Sequence, residues 1–187
     1  MPSDTYLEKL FNSQAGQSET YNSEFSDPAV ITGYGSSHIR KSIQIGTNKR
    51  AFNKAVSALS SWDVHRGCGM KILSDNPVVS INSNVLIVAP IFLGHITALC
   101  RVTGLTKNDR HWGFKYCTLP HHVETGEEEF LLEMRNDETV WFTIEAHSKP
   151  SNTLVALLYP IPNLLQQRAT NDYLKSMQRI LSRQEVP

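Results

Sequence analysis

The chain has 187 residues, of which 40% are hydrophobic and 19% charged, and its 18 basic residues balance 18 acidic ones. This length predicts one globular domain with a sizeable core. The zero net charge gives no electrostatic basis for binding a phosphate backbone, so we expect no nucleic-acid partner. The cysteines lack metal-ligand spacing and are odd in number (Cys68, Cys100 and Cys117), which indicates reduced thiols and a cytoplasmic protein.

The N-terminal 27 residues are predicted to form an arm, and one domain then spans residues 28–187. Residues 4–12 form a short helix in this interpretation, with an apolar side made of Tyr6, Leu7, Leu10 and Phe11. Residues 13–27 are rich in Ser, Gln, Asn and Glu, which is typical of a loop or a partly disordered arm. No basic segment followed by an apolar run opens the chain, so we expect no signal peptide.

The next segment predicts a strand followed by a helix. Apolar and polar residues alternate over residues 38–46, as in a strand with one buried face. Thr47 can cap the following helix, because its hydroxyl can accept a hydrogen bond from a first-turn amide. Apolar residues recur at helical spacing over residues 51–62.

Six further strands are predicted, at residues 70–74, 84–92, 97–105, 110–118, 127–135 and 138–148. Short connections rich in Asn, Asp, Gly and Pro separate them, which favours antiparallel neighbours. The apolar run at residues 85–100 is too short to span a bilayer and is interrupted by Pro90 and Gly94. It therefore predicts two buried strands and a turn, and we expect no integral membrane segment.

A long amphipathic helix is predicted over residues 152–184, with its regular start delayed or kinked by Pro160 and Pro162. The order of elements predicts an α+β fold in which an antiparallel sheet of about seven strands wraps around this C-terminal helix. Such a grip tends to leave an apolar cavity between sheet and helix, where a small hydrophobic organic ligand can bind.

Inner-face residues of the strands are candidates for ligand contacts. Strict alternation in residues 112–118 and 142–148 gives the inner face Trp112, Phe114, Tyr116, Thr118, Phe142 and Ile144. The hydroxyls of Tyr116 and Thr118 either bind the ligand or satisfy backbone groups. His147 falls on the opposite face, where we expect it to be exposed.

Residues 119–130 contain two histidines and four glutamates. Glu128 shares the inner face with Phe130, and a pairing of His122 with Glu128 would make an acid/base unit. The alternative is a solvated acidic hairpin with surface histidines.

Two arginines are candidates for meeting a ligand anion. Arg101 lies on a strand, and Arg168 falls on the apolar stripe of the last helix, which also includes Tyr173. A buried arginine must be paired or must meet an anion such as a ligand carboxylate. The alternative is that each guanidinium lies in water above an apolar stem.

The sequence contains no phosphate-binding glycine loop, no G-x-S-x-G motif and no H-E-x-x-H motif. Cys117, His121, His122 and Glu128 make a poor zinc set, because adjacent histidines on an extended chain point apart. We therefore expect neither a metal nor a cofactor.

Two motifs carry a resemblance to a known family. The run W-G-F-K-Y-C-T-L-P-H-H-V-E-T-G-E-E at 112–128 and the run V-W-F-T-I-E-A-H-S-K-P at 140–150 resemble the signatures of the uncharacterised DUF1990 (UPF0548) family. Residues 100–102 and 168–173 are also similar, and the resemblance spans about residues 30–182. That family is similar to the START and birch-pollen-allergen (Bet v 1) superfamily, which implies a helix-grip fold.

The superfamily implies cavities for lipids, polyketides, hormones or alkaloid precursors. Some members carry ligands, and others are cofactor-free cyclases, dehydratases or isomerases. The motifs mark Arg101, Tyr116, Thr118, His122, Glu124, Gly126, Glu127 and Glu128. Cys117, His121 and Val123 depart from the family pattern, which implies a changed hairpin at the cavity mouth.

These observations leave three interpretations open. The first is binding of a small, mainly apolar metabolite. The second is a cofactor-independent cyclase, isomerase or hydratase/dehydratase in which His122 is the acid or base, Glu128 orients it, and Tyr116 or Arg101 stabilises an enolate or carboxylate. The third is a protein-interaction module with a filled core and an exposed apolar patch. The sequence is compatible with a monomer or a homodimer.

Overall fold

The structure is a computed structural model that describes residues 2–13, 16–20, 36–91, 94–120, 124–151 and 161–183. The elements in chain order are α1 (Asp4–Asn12), β1 (Ser37–Thr47), α2 (Asn48–Ser60), α3 (Asp63–Arg66), β2 (Lys71–Ser74), β3 (Asn84–Ile91), β4 (Gly94–Lys107), β5 (His111–Thr118), β6 (Glu124–Met134), β7 (Thr139–Pro150) and α4 (Ile161–Ser182).

In these described ranges, seven strands form one sheet in the order β1-β7-β6-β5-β4-β3-β2, and all neighbours are antiparallel. Each predicted strand is present with bounds close to those expected from alternation. The order follows from the short turns, which place each of β3 to β7 beside its predecessor. The first strand β1 pairs with β7.

The concave face of the sheet holds the main core. Aromatic side chains from neighbouring strands stack there, with the rings of Phe114 and Phe130 5.1 Å apart. Helices α2 and α4 cover them, and Tyr173 and Met177 of α4 belong to the same cluster. The prediction of a sheet that grips a C-terminal helix is therefore confirmed, and the fold is the α+β helix-grip.

The convex face carries a second apolar cluster. The short helix α1 forms where it was predicted, and its fully buried Leu7 packs against Leu86, Val88, Leu99 and Leu119. The side-chain oxygen of Ser3 caps this helix by accepting a hydrogen bond from the amide of Tyr6. Part of the N-terminal region is thus a cover for the back of the sheet.

One feature of the helices differs from the prediction, and another lies partly outside the described residues. Thr47 does not cap α2 with its side chain. The carboxamide of Asn48 accepts hydrogen bonds from the amides of Arg50 and Ala51 instead, with Asn48 at a positive φ of 72° that asparagine tolerates. Helix α4 begins at Ile161 in the described residues, and the predicted start at 152–160 lies outside them.

Among the described residues, no helix is both long and apolar enough to span a bilayer.

Candidate ligand-binding cavity

A cavity of about 500 Å³ lies between the concave face of the sheet and helix α4. Apolar side chains supply much of its wall, from β3 and β4 on one side and from α4 on the other. They include Ile87, Ala89, Ile96, Ala98, Leu165 and Ala169, and Met70, which directly precedes β2, is also in the wall. The sequence does not indicate which inward apolar residues line a cavity, because alternation shows only which face of the sheet a side chain is on. It does not show whether the space in front of that face is filled.

A phenol and a carboxyl form a hydrogen-bonded pair inside this cavity. Tyr116 and Glu128 are cross-strand partners on β5 and β6, and the Tyr116 hydroxyl donates to Glu128 Oε2 at 2.5 Å. Burial raises the pKa of Glu128 to about 7, the nearby Glu124 carboxylate adds to the rise, and the Tyr116 hydrogen bond opposes it. Burial also raises the pKa of Tyr116 well above its usual range, so its hydroxyl keeps its proton. Glu128 therefore exchanges a proton near neutral pH.

Other polar groups of the wall lie on β5 to β7 and α4. Burial raises the pKa of Glu124, and a hydrogen bond with Ser148 opposes that rise. The Thr118 hydroxyl accepts a hydrogen bond from the amide of Gly126 at 3.0 Å and lies 2.7 Å from the Thr20 hydroxyl. The Thr118 hydroxyl thus satisfies a backbone amide, which is one of the two alternatives predicted for it.

Behind the pair lies a buried histidine that sequence reasoning missed. His65 of α3 is fully buried, 4.8 Å from the Tyr173 ring and 5.1 Å from the Phe130 ring. Burial lowers the pKa of His65 to about 3, so the imidazole is neutral. Neither ring nitrogen has a hydrogen-bond partner among the described residues. The spacing Leu59, Trp62, His65 continues one helical face, and this signal could have placed His65 in the core.

Five of the predicted site residues line the cavity: Tyr116, Thr118, Glu128, Arg168 and Tyr173. The Tyr173 hydroxyl donates to Met70 Sδ at 3.5 Å. Arg168 lies on the wall with 76% of its side chain exposed, and its Nε is 3.8 Å from Asp172. The guanidinium of Arg168 is therefore solvated, which fits the alternative of a head group in water better than a buried arginine that binds a ligand anion.

The remaining predicted contacts lie elsewhere. Trp112, Phe114, Phe142 and Ile144 face inward as expected, but they are part of the filled core and do not line the cavity. Arg101 is on the convex face, because it neighbours the inward Cys100 on the same strand. Its guanidinium bonds Asn84 Oδ1 at 2.9 Å and Glu19 at 3.0 Å, so protein groups already pair it.

His122 lies outside the described residues, as does His121, and the His122–Glu128 pairing stays a prediction.

The expectation of an exposed His147 is wrong. Only 7% of this residue is exposed, because the ring of His38 on β1 stacks on it at 4.2 Å. Cross-strand neighbours can bury a residue on the outer face of a sheet as effectively as a covering helix.

An antiparallel sheet gripping a helix around an internal cavity defines the chain as a helix-grip protein. Solved structures that share this fold include the following two. The ginseng (Panax ginseng) major latex-like protein 151 matches 81% of this chain and 99% of its own, with a TM-score of 0.53 and 13% identity. The di-domain ARO/CYC StfQ from the steffimycin biosynthetic pathway matches 79% of this chain and 51% of its own, with a TM-score of 0.53 and 10% identity.

The model of the family described as "Domain of unknown function (DUF1990)" matches residues 21–176. The chain therefore belongs to the DUF1990 family, as its two motifs indicated. A UPF0548 protein of Dictyostelium discoideum is 29% identical over 147 residues, which cover 72% of this chain and 68% of that relative.

Proposed function

We propose that this protein binds a small, mainly apolar organic molecule in the cavity, with a polar group of that molecule directed to Glu128 and Tyr116. The observation that carries the proposal is a titratable carboxyl, paired with a phenol, in the wall of an apolar cavity of about 500 Å³. Cavities of roughly 300–1,000 Å³ with a few polar groups on apolar walls are typical of small-molecule sites. An interaction module with a filled core has no use for such a space.

The polar pair narrows the chemistry of the ligand. With a pKa of about 7, Glu128 is present in both protonation states at neutral pH. Its carboxylate accepts a hydrogen bond from a ligand hydroxyl or amine, and its protonated form donates to a ligand carbonyl. Neutral molecules with a carbonyl or hydroxyl group on an apolar skeleton fit this wall, whereas an anion would meet Glu128 and Glu124 together. We also propose a cytoplasmic location, which the three free cysteines Cys68, Cys100 and Cys117 support.

Ala98→Phe tests the cavity. Ala98 lines it, so an added ring should occupy ligand space and weaken binding at least tenfold while the melting temperature stays the same or rises. Native mass spectrometry of the protein as purified and a thermal-shift screen of metabolites and lipids identify the ligand, and titration gives its affinity. Leu105→Phe adds the same ring at an exposed position of the same strand and should bind like the wild type. Equal affinity in Ala98→Phe and the wild type, without loss of stability, would rule out binding in this cavity.

The raised pKa of Glu128 favours one second candidate, a cofactor-independent cyclase, isomerase or hydratase/dehydratase. An acid/base group works best when its pKa is near the working pH. Glu128 would transfer the proton, the Tyr116 hydroxyl would stabilise a developing enolate, and His122 keeps its predicted role as a further acid/base group.

Glu128→Gln separates this enzyme from a carrier. It keeps a hydrogen-bond acceptor for Tyr116 and removes the titrating proton. An enzyme should lose turnover about a hundredfold or more while ligand affinity changes less than tenfold, because general acid–base catalysis contributes about 10²–10⁴-fold. Mass spectrometry measures how far the wild type and Glu128→Gln convert each ligand found in the screen, and His122→Ala is assayed in the same way. If Glu128→Gln converts the ligand as fast as the wild type, Glu128 does not act as an acid or base in the reaction.

A further inference from the structure

Two histidines and a glutamate meet on the convex face of the sheet, and one of them, His147, also borders the cavity. His38 on β1 and His147 on β7 are directly opposite each other in the sheet, and their rings stack 4.2 Å apart at an angle of 10°. Nε2 of His38 lies 2.9 Å from Glu145 Oε1, and Nε2 of His147 lies 3.5 Å from the same oxygen. One carboxylate oxygen therefore faces both imidazoles.

The second oxygen of this carboxylate is held by an arginine. Arg40 Nη1 bonds Glu145 Oε2 at 2.6 Å, and Arg40 is the cross-strand partner of Glu145. This contact fixes the carboxylate plane and leaves Oε1 turned toward the histidines. Glu127 of β6 is the partner of His147 on its other side and adds negative charge there.

The two histidines differ in access. His147 is buried, and its Nδ1 has no hydrogen-bond partner among the described residues, so no second contact there fixes which nitrogen carries the proton. The side chain of His38 is 45% exposed, which gives the cluster an open side.

We propose that His38, His147 and Glu145 form a binding site for a divalent transition-metal ion, with Zn²⁺ the best fit. Two imidazole nitrogens and a carboxylate oxygen are a common Zn²⁺ set, with bonds of about 2.0–2.2 Å and a fourth position left to water or another ligand. The three ligand atoms lie within 4.8 Å of one another, and within the described ranges no other group of three such side chains is as close. Metal binding requires the three atoms to close to bonding distance, and His38, whose side chain is the most exposed of the three, has the most room to move.

The site escaped sequence reasoning because its ligands have no motif spacing. His38 and Glu145 are 107 residues apart and are joined only through the register of β1 and β7. The sequence interpretation expected no metal after testing a different set, around Cys117 and His121.

Zinc titration of tag-free protein by calorimetry, with Co²⁺ absorption as a reporter of coordination, tests the site. The wild type should bind one Zn²⁺ per chain, and His38→Ala and Glu145→Gln should each weaken binding at least tenfold. His111→Ala is a matched control, because His111 is also a surface histidine beside a carboxylate, 4.0 Å from Glu133, but belongs to no group of three within the described residues. It should bind like the wild type.

The exposed His38 is the main variant, since removal of the buried His147 can disturb the fold. Circular dichroism and the melting temperature of metal-free His38→Ala should match those of the wild type. Absence of saturable Zn²⁺ binding in the wild type would overturn the proposal. Wild-type affinity in His38→Ala would also overturn it, because the metal would then be held elsewhere.

Discussion

Glu128→Gln should stabilise the protein by on the order of 3 kcal/mol at pH 8 and change its stability by less than about 1 kcal/mol at pH 5. The reason is that burial in the cavity wall raises the pKa of Glu128 from 4.5 to about 7. In the unfolded chain the carboxyl has its ordinary pKa, so between these two values the unfolded state has already released the proton that the folded state retains.

The direction of the effect follows from this difference in proton binding. Because the folded state binds the proton more tightly, the contribution of Glu128 to stability is fully present below pH 4.5 and is lost as the pH rises through about 7. The loss approaches about 1.4 kcal/mol per pH unit within that window. Glutamine does not titrate, so the stability difference between variant and wild type should grow with pH.

Urea unfolding at pH 5, 6, 7 and 8 measures this difference. Glu129→Gln removes a carboxylate from the opposite face of the same strand and should leave the wild-type pH dependence unchanged. Suppose that the stability difference between Glu128→Gln and the wild type is constant from pH 5 to 8. The Glu128 carboxylate would then be as well solvated in the cavity as in water, and its pKa would not be raised. This result would also weaken the case for Glu128 as an acid or base.

The strands and their inward faces could be predicted from the sequence because one face of each strand is buried. Residues 112–118 illustrate this, since alternation placed Trp112, Phe114 and Tyr116 together and the structure agrees. Periodicity of two fixes which face a side chain is on. Periodicity does not reveal whether the space in front of that face is filled by other side chains. Phe114 was therefore expected to contact the ligand, whereas it lies in the filled core.

Partners across the sheet could not be predicted, because they depend on register. Glu128 was expected on the inner face, where it lies. Its partner there is Tyr116, which is 12 positions away along the chain and directly opposite in the sheet. The cluster of His38, Glu145 and His147 has the same origin. A shift of one residue between β1 and β7 would place these side chains on opposite faces.

The role of α1 was missed for a related reason. A nine-residue amphipathic helix next to a polar segment predicts a peripheral arm, and its sequence does not say which surface its apolar side covers. The convex faces of β3 and β4 supply that surface with Leu86, Val88 and Leu99. The near-continuous apolar run of β3, which is buried on both faces, is the matching signal.

Leu7→Ala should destabilise the docked helix α1 by about 2–5 kcal/mol, the range for removal of a fully buried leucine side chain. Leu7 fills the centre of the convex cluster, whereas Tyr6, its neighbour in the helix, is 56% exposed. Tyr6→Ala is therefore a matched control that should change stability by no more than about 0.5 kcal/mol. The salt bridge between Asp4 and Lys71 is exposed and cannot hold the helix alone.

Hydrogen exchange of the α1 amides separates undocking of this helix from global unfolding. We expect Leu7→Ala to exchange α1 amides much faster than the wild type, while amides of β5 and β6 keep most of their protection, because the concave core does not include Leu7. Equal exchange in Leu7→Ala and Tyr6→Ala would mean that α1 contributes little to the fold and is the loose arm that its sequence predicts. Faster exchange in Leu7→Ala alone would instead make α1 part of the domain, since without it the apolar outer face of β3 and β4 would stand in water and invite association.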